Sequence, residues 1–550
     1  MTKKNLPIVD KNSRYVVSAA EMKRCDQATI DHFGIPQDVL MERAALSICK
    51  YVKKSLPAGG RVLIFAGSGN NGGDGIAAAR ILHQDDIPVV LVLVNHKLNE
   101  KAASSKRTKA CEQQLKIALS YGVTVIDFDA SSINNEIKRS SVIVDAMLGI
   151  GCTRDLEGDY KSAVCEINYS KEDFDEKAPH VISADIPTGI NADTGQVQGH
   201  AICADETVTF GFLKMGCAFY PGAAHSGEIH IVNIGITDDG FLNEPPRFKY
   251  IDIPDVSEMA KLLLPKRNPA GNKGSFGKVL IAAGSKRISG ACIMAAESCL
   301  RSGAGMVRVF TEKTNLSAVQ TLLPEAMTDI YCEEDFDTNE SEVFKAAKDN
   351  LLNALLWSDA VVCGPGIGKG KAGREILSII LENAKLPLVL DADALNIISD
   401  DEETRKLICG YEADMVMTPH LAEFSRLIDK NIHDCRLCMI DETIKLAKEF
   451  HACIICKDAR SLITDGERCF INLSGNDGMA TAGSGDVLAG LIGALVVSGF
   501  SNVTEAAAIG AYMHGVAGDM AAIKNGRQGM TARDISGGLR DIFSGQSNIL

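Results

Sequence analysis

The stretch from Arg61 to Leu82, RVLIFAGSGNNGGDGIAAARIL, reads as a buried strand, a glycine loop and the start of a helix. The unbroken apolar run VLIFA is what a strand covered on both faces shows, and such strands belong to parallel sheets flanked by helices. Gly67, Gly69 and Gly72 form a G-x-G-x-x-G, the spacing of a dinucleotide fingerprint. That fingerprint also needs an acid roughly 20 residues further on to hold a ribose hydroxyl. The next strand ends instead in LVNHK, and the loop adds Asn70, Asn71 and Asp74, which a pyrophosphate cradle does not require. The glycines therefore point to something other than an intact dinucleotide held for hydride transfer. Asp74 either caps the run GIAAARIL, as Asp does before a helix, or serves a ligand.

Working outward, helical spacing precedes this stretch from Val17 to about Ser55, with Met22, Cys25, Ala28 and later Leu40, Met41, Ala44 and Ile48 on one face. After it come PVVLVLV, VTVIDFD, SVIVDAM, HVISADIP, TVTFGF and EIHIVNIG, short apolar runs parted by helical or loop segments. This alternation predicts an α/β fold with a parallel sheet. DDGFLNEPPRFKYIDIPD, from Asp238 to Asp255, carries two prolines and no clear periodicity, so the linker is expected there. A second alternating series starts at Lys278 with GKVLIAAG, GMVRVFT, AVVCGPG, LPLVLDAD, DMVMTP and ACIIC. The expected domains are residues 1–243 and 244–550, both α/β.

The bulk numbers agree with two soluble cores. The chain has 550 residues, 46% hydrophobic and 23% charged, which suits a folded protein of more than one domain. A formal net charge of -14 offers no footprint for nucleic acid or an anionic membrane. The start, MTKKNLPIVDKNSR, lacks the apolar run of a signal peptide, and the longest apolar stretch, VLAGLIGALVVSGF, is too short to span a bilayer and reads as a core helix. Seventeen cysteines without a framework suit reduced thiols, so a cytoplasmic protein is expected, and a homo-oligomer with it. Cys435, Cys438, Cys453 and Cys456 have nearly the spacing of a zinc site. HACIIC reads as a strand, however, where residues i and i+3 face opposite ways, so core thiols are expected instead.

In the first half, three strand ends deliver polar groups to the edge where strand termini converge: the Asn71 loop, VDAMLGIG with Asp145, and ADIPTGINADTG with Asp185 and Thr188. Asn71, Asp145 and Thr188 offer oxygen-type ligands, which suit a hard, weakly bound cation. The set LMERAA, AGSGNNGGDG, VDAMLGIG, DIPTG and ADETVTFGFLKMG resembles the NAD(P)H-hydrate epimerase domain, or YjeF N-terminal domain. The resemblance implies a Rossmann-like αβα sandwich that interconverts the S and R epimers at C6 of hydrated NADH or NADPH. It places Asn70, Asn71, Gly72, Gly73 and Asp74, with Gly149, Ile150, Gly151, Cys152, Thr153, Arg154 and Asp155, against the substrate. Asp185 becomes the substrate-side carboxylate and an acid/base candidate, and Asn71, Asp145 and Thr188 would hold a potassium ion.

In the second half, NLSGNDGMATAGSGDVLAGLIGAL sets Gly483, Ser484, Gly485 and Asp486 directly before an apolar helix. Three successive backbone N–H groups and the positive end of the helix dipole make an anion hole. A carboxylate in it is suited to taking the proton of a hydroxyl that attacks phosphorus. VVCGPGIG offers Gly364, Gly366 and Gly368 as a second loop, VLDADAL brings Asp391 and Asp393 to a strand end, and a helix start brings Ala291. In MTPHLAEF, Thr418 reads as N-cap and Pro419 as the first helical residue, leaving His420 exposed.

These features resemble the NAD(P)H-hydrate dehydratase domain of the ribokinase-like superfamily, from about Gly271 to Phe500. The resemblance implies an ADP-dependent repair that phosphorylates the C6 hydroxyl of the S hydrate and releases AMP and phosphate, with magnesium expected. Asp486 would be the base, Gly485 would contact the nucleotide phosphates, and Ala291, Gly366 and His420 would line the hydrate pocket. Lys457, Asp458, Ala459, Arg460 and Ser461 fall where the family carries K-G-A-x-T for the nucleotide, so an acid replaces a glycine there. The competing expectation is a ribokinase-like small-molecule kinase fused to a non-catalytic nucleotide-binding module.

Overall fold

The computed structural model of the chain describes residues 8–98, 107–173, 178–253, 255–337 and 341–544. They divide into two compact units, one of Tyr15–Pro246 and one that joins the residues before Tyr15 to those from Arg247 onward.

The first unit is built on seven strands. Their spatial order is Thr124–Asp127, Val89–Leu93, Val62–Ala66, Val142–Ala146, His180–Ala184, Glu206–Phe210 and Glu228–Val232, with every neighbouring pair parallel. The opening strand shows why the sheet is covered on both sides. Val62, Ile64 and Ala66 join one apolar cluster with residues of the helices Gln37–Ser55 and Asn70–Gln84. Leu63 and Phe65 point the other way, into a cluster with Ala163, Val164 and Ile167. Each fully buried side chain of this size stabilises the fold by about 1.5–3 kcal/mol. The chain reverses its direction of travel across the sheet between Val62–Ala66 and Val142–Ala146, and a crevice opens beyond the carboxyl ends of strands at such a switch.

The second unit repeats the plan. Its strands run Met327–Tyr331, Met306–Glu312, Lys278–Ala282, Ala360–Cys363, Leu388–Leu390, Met415–Met417 and Cys453–Cys456, all parallel, with the switch between Lys278–Ala282 and Ala360–Cys363. An antiparallel pair, Leu462–Thr464 and Cys469–Ile471, continues the sheet, and Phe248–Ile251 pairs in parallel with the latter. The apolar run after Asp486 is a helix, Ser484–Val496, buried from Val487 to Leu495. HACIIC is the expected strand, with Cys453 and Cys456 buried. No helix among the described residues is long and apolar enough to cross a membrane.

The structure refines the expected boundaries and adds elements to them. The units part at Pro246 and Arg247, inside the segment Asp238–Asp255 expected to hold the linker and a few residues past 243 and 244, and the segment also holds a short 3-10 turn, Asp238–Phe241, and the strand Phe248–Ile251. Residues 8–14 do not belong to the first unit. The Val9 N–H donates to Glu505 Oε1 at 3.0 Å and the Asp252 N–H to the Asn12 carbonyl at 2.9 Å, so this segment is stitched into the second. The strands Met327–Tyr331, Leu462–Thr464 and Cys469–Ile471 escape a search for apolar runs because they are short or polar on one face.

Candidate active sites

In the first unit the helix after the glycine loop begins at Asn70, with Gly69 as its N-cap. Asp74 is therefore inside the helix and does not cap it. The reason is close packing. A Cβ on Gly67 would lie 1.9 Å from the Met147 carbonyl oxygen, and one on Gly72 would lie 1.9 Å from that of Gly67. Without side chains the loop rests on the neighbouring strand exit, and the helix turns at once. Gly73 is buried against Met41 and Cys111.

Asn71 sits at the switch point, where a Cβ on Gly149 would be 3.4 Å from its own Cβ. Both polar atoms of its amide are buried without a hydrogen-bond partner. Leaving such atoms unpaired costs about 1–3 kcal/mol, so they call for a ligand. Asp145 and Thr188 meet nearby in the fold. Asp145 is fully buried, and its Oδ1 accepts from Thr188 Oγ1 at 2.6 Å and the Met147 N–H at 3.3 Å. Its Oδ2 accepts from Ser183 Oγ at 2.9 Å and the Thr188 N–H at 2.8 Å. Burial pushes this carboxyl up, against the pull of those four bonds. The Leu148 N–H donates to Thr188 Oγ1 at 3.0 Å, tying the loop that follows Asp145 to the same threonine.

Along that loop Gly149 and Ile150 are half-buried, Cys152 is buried with its N–H on the Gly149 carbonyl at 3.2 Å, and Gly151, Thr153, Arg154 and Asp155 are exposed. Asn70 is exposed at the helix start. Asp185 has φ +68°, an uncommon conformation for a residue with a side chain. Its Oδ1 accepts from the wholly buried Lys214 ammonium and from the Phe210 N–H at 3.1 Å. Asp26, from the helix Ala19–Asp31, faces the same charges: burial first, then Asp185, raise its carboxyl, and Lys214 lowers it. Burial pushes Asp74 well up, with Asp185 and Asp26 adding to it. Lys214 and Asp26 were missed by sequence reasoning. A lone lysine inside TVTFGFLKMG was a usable signal; Asp26, one acid among several on an amphipathic helix, gave none.

In the second unit Gly483 is the N-cap of Ser484–Val496, at φ +91° with Met294 2.4 Å from where a Cβ would lie. The Ser484 N–H is spent on the Thr481 carbonyl at 3.3 Å, so the helix start presents the amides of Gly485 and Asp486 rather than three in succession. Asp486 is half-buried, and burial, then Asp391, push its carboxyl up to about 7, with Lys457 opposing and Asp393 adding. A Cβ on Gly485 would be 3.1 Å from Lys457 Nζ and 3.5 Å from Asp391 Oδ2, so this glycine leaves room for an ion pair. Lys457 Nζ donates to Asp391 Oδ1 at 2.7 Å, and Thr418 Oγ1 donates to the same oxygen at 2.7 Å. Burial alone would lower the Lys457 ammonium, but Asp391 and Glu423 hold it above its usual value.

Gly366, at φ +62°, lies against Ala291: a Cβ there would be 3.0 Å from the Ala291 Cβ. The Gly368 N–H donates to Asp393 Oδ2 at 2.9 Å. Thr418 is not an N-cap and Pro419 is not helical. His420 caps the helix Leu421–Leu427, with Nδ1 accepting from the N–H groups of Ala422 at 3.1 Å and Glu423 at 3.2 Å. Because Thr418 is drawn to Asp391, the helix starts two residues later than expected. The His420 ring remains half-exposed, and burial with Lys457 lowers its basicity. Glu423, buried behind it, is raised to about 7 by burial. His514 is buried with Nε2 3.0 Å from the Ser484 carbonyl, and burial brings it down to about 4, so a neutral ring donates there and braces the first turn.

Asp458 lies 3.9 Å from Arg436, Ala459 is exposed, Arg460 donates to the Leu473 carbonyl at 2.5 Å, and Ser461 Oγ to the Asp458 carbonyl at 3.4 Å. Glu423 and His514 lie outside every glycine loop, so the sequence held no signal for them.

A family model described as NAD(P)H-hydrate dehydratase matches residues 279–540, and one described as the YjeF-related protein N-terminus matches residues 37–216. The chain is 34% identical over 521 residues to the bifunctional NAD(P)H-hydrate repair enzyme of Thermofilum pendens, covering 94% of each. It is 32% identical to that of Moorella thermoacetica, covering 95% of each, and 29% identical to that of Escherichia coli, covering 96% of this chain and 93% of the relative.

Proposed function

The chain belongs to the family of bifunctional NAD(P)H-hydrate repair enzymes, and we propose that its two units divide the repair between them. The first interconverts the S and R hydrates at C6, and the second returns the S form to NAD(P)H at the expense of ADP. The observation that carries this reading is Asp486, a carboxylate in the first turn of a buried helix, beside the Asp391 and Lys457 pair. The amides of Gly485 and Asp486 and the helix dipole favour an anion at that point. Lys457 has donors beyond the one given to Asp391, which a phosphate oxygen can take.

Asp486 takes the proton of the C6 hydroxyl as its oxygen attacks the terminal phosphorus of ADP, and AMP departs. Phosphate is a far better leaving group than hydroxide. It leaves C6 with the push of the ring nitrogen lone pair, and loss of the C5 proton restores the reduced ring. Ala291, Gly366 and His420 form the hydrate side of the pocket. Lys457 to Ser461, with Gly485, form the nucleotide side. A base that titrates at about 7 gives a dehydration rate that climbs as pH rises through neutrality. Magnesium would neutralise phosphate charge, with the Asp393 carboxyl beside the site as its holder.

In the first unit Asn70 to Asp74 and Gly149 to Asp155 embrace the hydrate, with Asp185 as the acid/base group. A potassium ion fits the orphaned Asn71 amide, whose buried oxygen lacks a donor. Asn71, Asp145 and Thr188 would hold it, and it would supply positive charge at the switch point. Seventeen cysteines, all free, suit the cytoplasm, and the protein acts there as a homo-oligomer, which light scattering measures.

The test is incubation of hydrated NADH with ADP or ATP while absorbance of the reduced ring and the adenine products are followed. Recovery of absorbance with AMP and phosphate is expected from ADP. A stable phosphorylated product would instead establish a small-molecule kinase.

A further inference from the structure

Lysine is almost never fully buried unless it is paired. The Lys214 side chain is 0% exposed. Its three donors are all spent, on Asp185 Oδ1, on Thr209 Oγ1 at 3.0 Å and on the Phe210 carbonyl at 2.8 Å. With no donor left for a ligand, Lys214 acts on the site through its partners.

Asp185 is the partner left partly exposed. Lys214 and the Phe210 N–H both take its Oδ1 and the left-handed backbone at φ +68° constrains the carboxyl, which leaves Oδ2 as the oxygen for a substrate. Such strain persists where surrounding contacts over-determine it. Two more carboxyls feel the charge of the same ammonium. Asp26 comes from the helix Ala19–Asp31, and Asp74 from the helix Asn70–Gln84, three positions after Asn71 and so on the same face. That face is the one that sets Asn71 against Gly149. The other groups facing this set are the thiols of Cys217, beside Asp185 and Lys214, of Cys111, beside Asp74, and of Cys25, beside Asp26 and Asp238. Carboxyls gathered at one cation cannot all ionise, because like charges raise one another. Burial and Asp185 push the Asp74 carboxyl well up, which makes it the better proton donor, whereas Asp185 holds the direct bond to the ammonium.

We propose that Lys214 is the positioning residue that divides two roles between the carboxyls of this site, Asp185 acting as the base and Asp74 as the acid in the inversion at C6. The inference rests on the epimerase reading of the first unit. Asp185 Oδ2 takes the proton of the C6 hydroxyl, the O–H pair becomes the carbonyl π bond, and the bond from C6 to the ring nitrogen breaks. The nitrogen takes the Asp74 proton, leaving an open aldehyde. Once the aldehyde has turned its other face, the nitrogen lone pair attacks C6, its proton returns to Asp74, and the oxygen recovers its proton from Asp185. Nothing is oxidised or reduced, and both carboxyls end as they began.

The experiment follows interconversion of the R and S hydrates of NADH by the full-length protein, without ADP or ATP, across a range of pH. Asp185→Asn and Asp74→Asn should each slow the enzymatic rate by about 100-fold or more. Lys214→Met should do likewise and move the alkaline limb of the profile, set by the acid Asp74, to higher pH, since the cation lowers that carboxyl. Lys214→Arg should recover part of the rate. The double variant Lys214→Met with Asp185→Asn should be no slower than Asp185→Asn alone, as residues acting through one another are not additive. Thermal melts of every variant separate unfolding from lost function. A Lys214→Met protein with an unchanged pH profile, or one that Lys214→Arg does not rescue, overturns the inference. Wild-type interconversion at the spontaneous rate removes the epimerase reading, and the inference with it.

Discussion

Each unit seats one lysine among several carboxyl groups at the carboxyl ends of its parallel strands, and the two lysines are used in opposite ways. Lys214 is sealed: no exposure, three acceptors, no donor to spare. Lys457 is 19% exposed, bonded to Asp391, and borders the space that Gly485 leaves open. The first is placed to hold a carboxylate in one position; the second can meet a phosphate. The glycines differ in the same sense. Gly67 and Gly72 are forced by backbone lying 1.9 Å from any Cβ, whereas the atom nearest a Cβ on Gly485 is the far end of a flexible side chain.

The sharpest way to break this comparison is Asp486→Ala, expected to lower dehydration about 100-fold to 10,000-fold while leaving epimerisation unchanged. Single-turnover assays of both activities on one preparation check it. Asp486→Asn sharpens it. The folded-state carboxyl is raised to about 7, so the stability it contributes is present at low pH and is lost as pH rises through that value. The variant should therefore be inactive yet gain in Tm relative to wild type above pH 7, and gain little below pH 4.

Next in size, Lys457→Met should lower kcat/KM for the nucleotide by about 10-fold to 100-fold, the loss expected of a charged hydrogen bond. It should also shift the acid limb of dehydration to higher pH, because Lys457 lowers the Asp486 carboxyl. A salt titration of nucleotide binding separates this effect from unfolding. The glycine contrast predicts a smaller and divided outcome. Gly67→Ala should destabilise the first unit by about 1–3 kcal/mol, read as an earlier thermal transition. Gly485→Ala should leave the melt nearly unchanged and raise the nucleotide KM.

The smallest effect is expected at Asp458, where Arg436 stands 3.9 Å away and is largely exposed. Exposed pairs are worth about 0–1 kcal/mol. Asp458→Gly should thus tighten ADP binding by less than about tenfold, measured by calorimetry at fixed salt.

Much of the fold was legible because long apolar runs such as VLIFA, VVLVL and KVLIA are buried on both faces and carry their own period. The strand Met327–Tyr331 and the pair Leu462–Thr464 and Cys469–Ile471 were not, since three to five residues of mixed polarity look like loop until a neighbour pairs with them. At the sites, Asn71, Asp145, Asp185, Thr188 and Asp486 stood out because glycine loops and strand ends mark them. The capping assignment at Thr418 misled: a good cap residue competes with other partners, and Thr418 is drawn to Asp391 instead.

The sequence by itself determined two α/β units, the order of their principal strands, and the helix starts at which glycine and acid stand together, because those depend on local periodicity and backbone freedom. Only the tertiary structure decided that Lys214 would meet Asp185 and that Lys457 would meet Asp391, pairs 29 and 66 residues apart in the chain. It likewise decided that residues 8–14 would join the second unit. Such partnerships are set by which strand crosses to which position in the sheet, and burial then fixes the protonation of whatever the crossing brings together.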